Sequence, residues 1–273
     1  MKRAGDYLER IAAALERLAP APPPPTDWMA APAYVWEGTG ARTVATLDAL
    51  PLARLHGIEA QKAALLGNCA RLASGAAAHD VLLWGARGMG KSALVRACVA
   101  DVQAHSAGAL ALVQLAPGSL PTFPALIAQL ALQPRAFLLF IDDLGFGADG
   151  RAEMLSLRSL LDGGVAPRPP RVRIAVTANR RAIVAREDTS AALHERDERD
   201  DALALADRFG LNLGFHPADQ DTYLAILTSY TAPLGLGFAA DEALAFAIQR
   251  GNRSGRTALQ FATELAGRAG LSL

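Results

Sequence analysis

The sequence predicts an α/β protein in which helices cover both faces of a five-stranded parallel sheet. Five short apolar runs have the length and composition of buried parallel strands. Segments with helical periodicity alternate with them, and this alternation is typical of a doubly covered parallel sheet. The final 55 or so residues show only helical patterns, which predicts a small C-terminal helical subdomain. The five runs are 81–84, 109–115, 137–141, 172–177 and 211–215.

Composition narrows the class of protein. Of the 273 residues, 51% are hydrophobic and 20% are charged, which allows a large core. The net charge is zero, so no overall field attracts the chain to nucleic acid or to an anionic membrane. Cys69 and Cys98 lack metal-site spacing and suit a reducing cytosol. Since no apolar run approaches the roughly 20 residues that span a bilayer, we expect a cytoplasmic protein with no membrane partner.

The N-terminal segment combines a short amphipathic helix with a spacer. Residues 6–19 have helical periodicity, with Leu8, Ile11, Leu15 and Leu18 on one stripe. The run "PAPPPP" then ends the helix and predicts an extended linker. Because a lone helix this short is marginal in water, it should dock on its own domain, on a neighbouring subunit or on a protein partner.

The pattern divides the rest of the chain into a core domain and a lid. Residues 26–46 are predicted as loop, and 47–74 as a helix that is broken near 56–59. The predicted domains are 1–25 (helix and linker), 26–218 (α/β core) and 219–273 (helical lid). Further helices are predicted at 91–103, 124–132, 151–161, 219–231, 241–249 and 255–268.

The stretch "GARGMGKS", residues 85–92, matches the P-loop pattern of a glycine, four free positions and Gly-Lys-Ser. It follows a predicted strand and opens a predicted helix, which is the context that a phosphate-binding loop requires. Lys91 would reach the β- and γ-phosphates, and Ser92 would bind Mg²⁺. The predicted nucleotide contacts in this segment are Gly85, Ala86, Arg87, Gly88, Met89, Gly90, Lys91, Ser92 and Ala93.

Polar residues also follow two other predicted strands, at the edge where ligands of α/β sheets bind. The run "FLLFIDDL" places Asp142 where a Walker B acid would hold Mg²⁺, and Asp143 follows it. Asn179 ends the fourth strand and would orient a water near the γ-phosphate, although turn-forming asparagines also occur at such positions. The sequence "TANR" differs from the Asn-Lys-x-Asp pattern of guanine recognition, which favours ATP over GTP.

Together these motifs resemble those of AAA+ ATPases. The segments "GIEAQKAALLGNCARL", "VLLWGARGMGKSALV", "FIDDL", "LADRFGL" and "RSGRTALQFATELAGR" more narrowly resemble the bacterial AAA+ family known as domain of unknown function 815. The resemblance extends from about residue 5 to residue 270, with the five motifs in order. It implies a P-loop NTPase core, Mg-ATP as the ligand and ATP hydrolysis as the activity.

The resemblance also implies roles for residues outside the P-loop. Gly57 and Ile58 would contact adenine, and Asn179 would be the sensor 1 residue. Arg208 of "DRFG" matches the arginine finger that acts on a neighbouring subunit, which implies a homo-oligomer. Arg256 of "RSGR" matches the sensor 2 arginine of the lid. Alternatively, Arg208 pairs with a nearby acid and Arg256 caps the last helix.

One position departs from the AAA+ pattern. AAA+ enzymes usually follow the Walker B aspartate with glutamate, and here Asp143 is one methylene shorter. We therefore expect an ATPase that turns over slowly at a subunit interface. Two alternatives stay open. One is an ATP-dependent conformational switch with little hydrolysis. The other is a nucleic-acid remodeller or loader that uses a local basic patch formed by "RPPRVR" (168–173) and Arg180-Arg181.

Overall fold

The computed structural model describes residues 2–18, 25–144, 157–158, 160–161, 168–179 and 204–272. Most of the helix predicted over 151–161 lies outside these residues, as do Arg180-Arg181 and most of the proline-rich linker. Within the described ranges, no helix is both long and apolar enough to cross a bilayer.

Seven strands of the described chain form a single sheet in the order β2-β1-β4-β5-β6-β3-β7. All neighbouring strands pair in parallel except β1 and β2, which are antiparallel. All five predicted strands are present, as β3 to β7. The strands are β1 (Ala33–Trp36), β2 (Ala41–Val44), β3 (Val81–Gly85), β4 (Leu110–Leu115), β5 (Ala136–Leu144), β6 (Val172–Ala178) and β7 (Leu211–Phe215).

The prediction of five strands was wrong because 26–46 is not all loop. β1 pairs with β4 from Ala33 opposite Leu112 to Trp36 opposite Leu115, and β2 folds back on β1. A buried arginine secures this segment: Arg135 Nη1 donates to the carbonyl oxygen of Ala31 (2.7 Å). A strand of four residues such as β1 is too short to show periodicity in the sequence. Its extended conformation is therefore determined by pairing with β4.

The helices mostly follow the prediction, with one difference before the P-loop. Only the second half of the predicted 47–74 helix forms, after Gly57 at φ 74°, and a 3₁₀ turn at Leu52–Arg54 precedes it. The helices whose full length lies in the described ranges are α1 (Lys2–Leu18), α2 (Glu59–Ala73), α3 (Lys91–His105), α4 (Phe123–Ala131), α5 (Gln220–Thr231), α6 (Ala240–Gln249) and α7 (Gly255–Arg268).

Helices pack on both faces of the sheet, as predicted. Along β3, Val81 and Leu83 belong to one core together with Leu94 of α3. Leu82 points to the opposite face and belongs to a second core that includes Phe123 of α4. This alternation of buried side chains along the strand is expected for a parallel sheet buried on both sides.

The chain has three helices in its C-terminal part, as predicted, and we call this region the lid. Asp219 caps α5 by accepting a hydrogen bond from the Thr222 backbone (2.8 Å), and Ser254 caps α7 through the Thr257 backbone (3.2 Å). Phe261 of α7 belongs to the same core as α2 and α3. The lid therefore packs against the face of the sheet that carries the P-loop helix.

Candidate functional site

A cleft of about 520 Å³ opens between the carboxyl edge of the sheet and the lid. Its size suits a small-molecule ligand. The predicted site residues that line it are Gly57, Ile58, Arg87, Gly88, Met89, Gly90, Lys91, Ser92, Ala93, Asp142, Asp143, Asn179 and Arg256. Gly85, Ala86 and Arg208 are not among its lining residues.

Glycines shape the phosphate-binding loop. Gly85 ends β3 at φ 131°, and a Cβ there would lie 2.0 Å from the carbonyl oxygen of Phe215 in β7. Gly90, at φ 87°, is the N-cap of α3 and offers no side-chain cap. The N–H groups of the first turn of α3 are therefore available to an anion, and the helix dipole favours negative charge at this end.

Lys91 lies at the head of α3 and is 5% exposed. Its Nζ donates to the carbonyl oxygens of Gly85 (2.9 Å) and Ala86 (2.8 Å) and to Asn179 Oδ1 (3.0 Å). Burial lowers the pKa of Lys91 to about 8, and the nearby carboxylates of Asp143 and Asp142 oppose this shift. The cation is thus desolvated and held by uncharged oxygens, which suits it to bind phosphate.

Asp142 lies at the end of β5, beside Ser92. Its Oδ1 accepts hydrogen bonds from Ser92 Oγ and from Thr177 Oγ1, both at 2.6 Å. Mg²⁺ in nucleotide sites commonly takes one or two protein oxygens, together with phosphate oxygens and water. The adjacent Ser92 hydroxyl and Asp142 carboxylate fit this donor set.

Thr177 is a site residue that the sequence reasoning missed. Besides donating to Asp142, its hydroxyl accepts a hydrogen bond from the Asp143 backbone N–H (2.8 Å), so it fixes both aspartates. The available signal was its place near the end of β6, two residues before Asn179, since alternate positions along an extended chain share a face.

Asp143 has a left-handed backbone, at φ 59°. The β5–β6 register shifts between Ile141 and Leu144, which places Asp143 in an irregular turn of the strand. Aspartate tolerates this conformation better than most residues. Its Oδ2 accepts from Arg87 Nη2 (3.1 Å), and its Oδ1 accepts from Asn179 Nδ2.

Asn179 connects the two halves of the site. β6 lies between β3 and β5 in the sheet, so the residue that follows it is placed between Lys91 and Asp143. Its amide oxygen accepts from Lys91, and its amide nitrogen donates to Asp143. The phosphate-binding lysine and the Asp143 carboxylate thus share one hydrogen-bonded side chain.

The lid contacts the P-loop directly. The backbone N–H of Arg256 donates to the Gly88 carbonyl oxygen (3.3 Å), and a Cβ at Gly88 would lie 2.7 Å from Ser254 Oγ. Arg256 is the second residue of α7 and lines the cleft. The structure thus brings the predicted lid arginine and the P-loop together.

Apolar side chains also line the cleft. Ile58 lies there beside Gly57, together with Tyr230 of the lid, and the Arg54 guanidinium lies 4.8 Å from the centre of the Tyr230 ring. Sequence reasoning missed Arg54 and Tyr230, because about 175 residues separate them and neither belongs to a motif. Aliphatic and aromatic side chains are common in the walls of small-molecule sites.

Arg208 lies outside the cleft of its own chain. It precedes β7, is half-buried, and donates a hydrogen bond from Nη1 to the carbonyl oxygen of Ala204. The structure therefore brings together the predicted site residues of the P-loop, the strand ends and the lid, and places Arg208 elsewhere on the molecule.

The fold is shared with solved AAA+ proteins. Thermotoga maritima RuvB, a Holliday junction branch migration motor, is 15% identical with a TM-score of 0.51, covering 81% of this chain and 66% of its own. Aeropyrum pernix ORC1, solved with DNA, is 16% identical with a TM-score of 0.56. The match covers 81% of this chain and 62% of ORC1. ORC2 of the same organism, solved in ADPNP and ADP complexes, is 16% identical with a TM-score of 0.56. The match covers 83% of this chain and 67% of ORC2.

The chain thus spans about two thirds of the length of these neighbours, and at such low identity the likeness shows the fold alone. No curated protein matches the sequence. A family model does match it, over residues 29–269. With an AAA+ fold and a match over most of its length, the chain belongs to the family described as "Protein of unknown function (DUF815)".

Proposed function

We propose that the protein binds Mg-ATP in the cleft and hydrolyses it slowly at a subunit interface. The observation that carries this proposal is the hydrogen-bonded chain from Lys91 through Asn179 to Asp143, beside the Ser92–Asp142 pair. These are the groups that phosphoryl transfer to water needs: a phosphate-binding cation, oxygens for Mg²⁺ and a carboxylate that can orient a water.

Each group has a place in the mechanism. Lys91 and the first turn of α3 would bind the β- and γ-phosphates. Ser92 and Asp142 would hold Mg²⁺, which supplies positive charge against the phosphate oxygens. Asp143 would accept a hydrogen bond from the attacking water, and Asn179 would orient that water with it. Arg256 would bring positive charge from the lid.

The apolar residues among those lining the cleft support adenine as the base. Gly57 and Ile58 would place backbone and an aliphatic side chain against it, and Tyr230 would offer a ring to its face. The division of the chain into domains 1–25, 26–218 and 219–273 is part of the proposal. In it, the core (26–218) binds the phosphates and the lid (219–273) closes over the base.

We also propose that Arg208 acts on the site of a neighbouring copy in a homo-oligomer. Its position outside its own cleft supports a role in trans. Arginine suits this role because it stays charged and donates bidentately to phosphate. An arginine supplied from a neighbour can raise the hydrolysis rate by about 10³–10⁵.

Subunit complementation tests the proposal. We expect Lys91→Ala to lose ATP binding, and Arg208→Ala to keep binding but to lose turnover by at least about a hundredfold. Mixed in equal amounts, the two variants should recover about a quarter of the wild-type rate, because about a quarter of randomly assembled interfaces pair an intact Lys91 with a neighbouring Arg208. Phosphate release and calorimetry measure the two quantities.

Two results would contradict the proposal. Turnover by Lys91→Ala at the wild-type rate would exclude this cleft as the site. An inactive mixture, from subunits shown by light scattering to assemble, would exclude Arg208 as a residue supplied in trans.

A second candidate is an ATP-dependent switch with little hydrolysis. The short Asp143 side chain, with both oxygens already hydrogen-bonded, favours it. Tight ATP binding and an ATP-dependent change in assembly mass, with phosphate release no faster than that of Lys91→Ala, would support the switch over the enzyme.

A further inference from the structure

Arg87 makes a contact that the phosphate-binding role of its loop does not require. Its guanidinium reaches from the P-loop to the end of β5 and pairs with Asp143 Oδ2 at 3.1 Å. The P-loop pattern permits any residue here, so it assigns no role to the Arg87 side chain beyond the place of its backbone in the phosphate-binding loop. The other carboxylate oxygen, Oδ1, accepts from Asn179. Both oxygens of Asp143 therefore have donors from the protein.

This arrangement affects what Asp143 can do. A carboxylate orients an attacking water by accepting a hydrogen bond from it, and a cation on the same carboxylate competes for those lone pairs and draws on its charge. The left-handed backbone and the short side chain limit how far the carboxylate can turn away. The Arg87 pair thus holds Asp143 in a geometry that opposes its proposed role.

The pair is also easily broken. Both side chains are exposed, 69% for Arg87 and 52% for Asp143, and ion pairs this exposed to water contribute little stability. A triphosphate bound beside Lys91 would bring several negative charges close to the guanidinium, whose planar fork matches phosphate as well as carboxylate. Arg87 therefore has a second anion to which it can move.

We propose that Arg87 is a positioning residue that restrains Asp143, and that its transfer to the bound phosphates releases the carboxylate for hydrolysis. This inference rests on the proposed function of the cleft. It makes Arg87 a brake on turnover: the fraction of time that Arg87 spends on Asp143 sets how often a water can be oriented.

The test is a double-mutant cycle on steady-state phosphate release. Arg87→Ala should raise kcat about three- to tenfold, because Asp143 is released. In the Asp143→Asn background, where there is no carboxylate to restrain, Arg87→Ala should change kcat by less than about twofold. Arg87→Lys keeps a cation at the position and should return kcat toward the wild-type value.

Binding is measured separately by calorimetry with Mg-ATP. Removing Arg87 should weaken ATP binding by no more than about fivefold, so the expected effect lies in kcat rather than in affinity. Arg42→Ala is the matched control, since Arg42 and Glu37 form an exposed pair of similar length (3.3 Å) and exposure (61% and 56%) away from the cleft. This control should leave both kcat and the Kd unchanged.

The outcomes separate the inference from the function on which it rests. If the wild type turns over ATP and the kcat of Arg87→Ala is equal to or lower than that of the wild type, the proposed restraint is wrong and the ATPase proposal is unaffected. A gain of similar size in both backgrounds also overturns it, because the effect then does not pass through Asp143. Binding without turnover in every variant overturns the restraint and hydrolysis together, and absence of binding overturns the proposed function itself.

Discussion

Lys91 shows how a residue that is easy to identify from sequence acquires a property that only packing provides. The P-loop pattern predicts its place at the head of a helix. Its burial among the carbonyl oxygens of Gly85 and Ala86 and the side chain of Asn179 depends on tertiary packing, and this burial lowers its pKa to about 8. The ammonium therefore begins to lose its proton near physiological pH.

ATP affinity should consequently depend on pH. Phosphate binding requires the charged form of Lys91, so raising the pH from 7 to 9 should weaken Mg-ATP binding about tenfold, as a group with a pKa of about 8 deprotonates. Calorimetry at saturating Mg²⁺ measures this change. The Lys91→Met variant is the control and should bind weakly with a flatter profile; equal slopes for both proteins would contradict the lowered pKa.

The lowered pKa of Lys91 also determines how this residue makes the free energy of unfolding change with pH. Between pH 8 and about 10.5, the unfolded chain retains the Lys91 proton that the folded chain has lost. The unfolded state then binds more protons, so the contribution of Lys91 to the free energy of unfolding rises with pH across this window. Below pH 8 the cost of burying the charged ammonium is fully present.

Residues in the P-loop, at the end of β5 and at the end of β6 were placed at the cleft from sequence because each is fixed by a local pattern. The contacts of Arg87 and the left-handed backbone of Asp143 were beyond prediction. Arg87 occupies a free position of its motif, and a positive φ at an aspartate leaves no trace in the hydrophobic pattern.

At the scale of elements, the junction of β3 with β7 brings two backbones into close contact where the P-loop begins. The backbone N–H of Ala86 donates to the Phe215 carbonyl oxygen (3.2 Å), which continues the β3–β7 pairing into the P-loop. The Cβ of any residue at position 85 would be placed against that same oxygen. The start of the P-loop is thus part of the sheet as well as of the phosphate site.

Gly85→Ala should therefore destabilise the fold by about 2–4 kcal/mol, because β3 and β7 would have to separate. Urea unfolding measures the loss. Gly118→Ala is the matched control, since Gly118 also has a positive φ (76°) but a Cβ there would meet nothing within 4 Å. It should cost only the backbone strain, about 1–2 kcal/mol; equal losses at both positions would exclude the strand contact as the cause.

Five strands followed from the sequence because each is a mostly apolar run, and two did not because their residues depend on partners far along the chain. β1 contributes only four residues and β2 is mostly exposed or half-buried, so neither shows a clear pattern. Trp36 is fully buried, yet its neighbours in the core lie on β4 and in the turn before α4. Short strands of this kind are determined by tertiary contacts.

At the scale of the whole molecule, α1 carries an apolar stripe that the described structure leaves uncovered. Tyr7, Ile11 and Leu15 are 55–60% exposed and recur every four residues. The sequence left three docking partners open for this helix. The exposure argues against docking on its own domain and leaves a neighbouring subunit or another protein as our proposal.

Deletion of residues 1–25 should therefore leave the Tm within about 2 °C of the full-length value, since little core is removed. Differential scanning calorimetry measures this. Replacing Leu126, which is fully buried in the core beneath α4, with Ala is the comparison and should lower the Tm clearly. A large fall in Tm after the deletion would show that α1 packs on the domain in solution.

The contact between α7 and the P-loop places a condition on the sequence of the loop. The motif requires glycine at positions 85 and 90 and permits any residue at 88. The Ser254 hydroxyl and the Arg256 Cβ leave Gly88 no room for a side chain, at a backbone φ of 77°. A side chain at position 88 that is compatible with phosphate binding would therefore clash with the lid. Variation at position 88 in related chains should therefore be accompanied by compensating changes at the start of the last helix. The residue at this position of the phosphate loop should thus indicate how the lid packs on it.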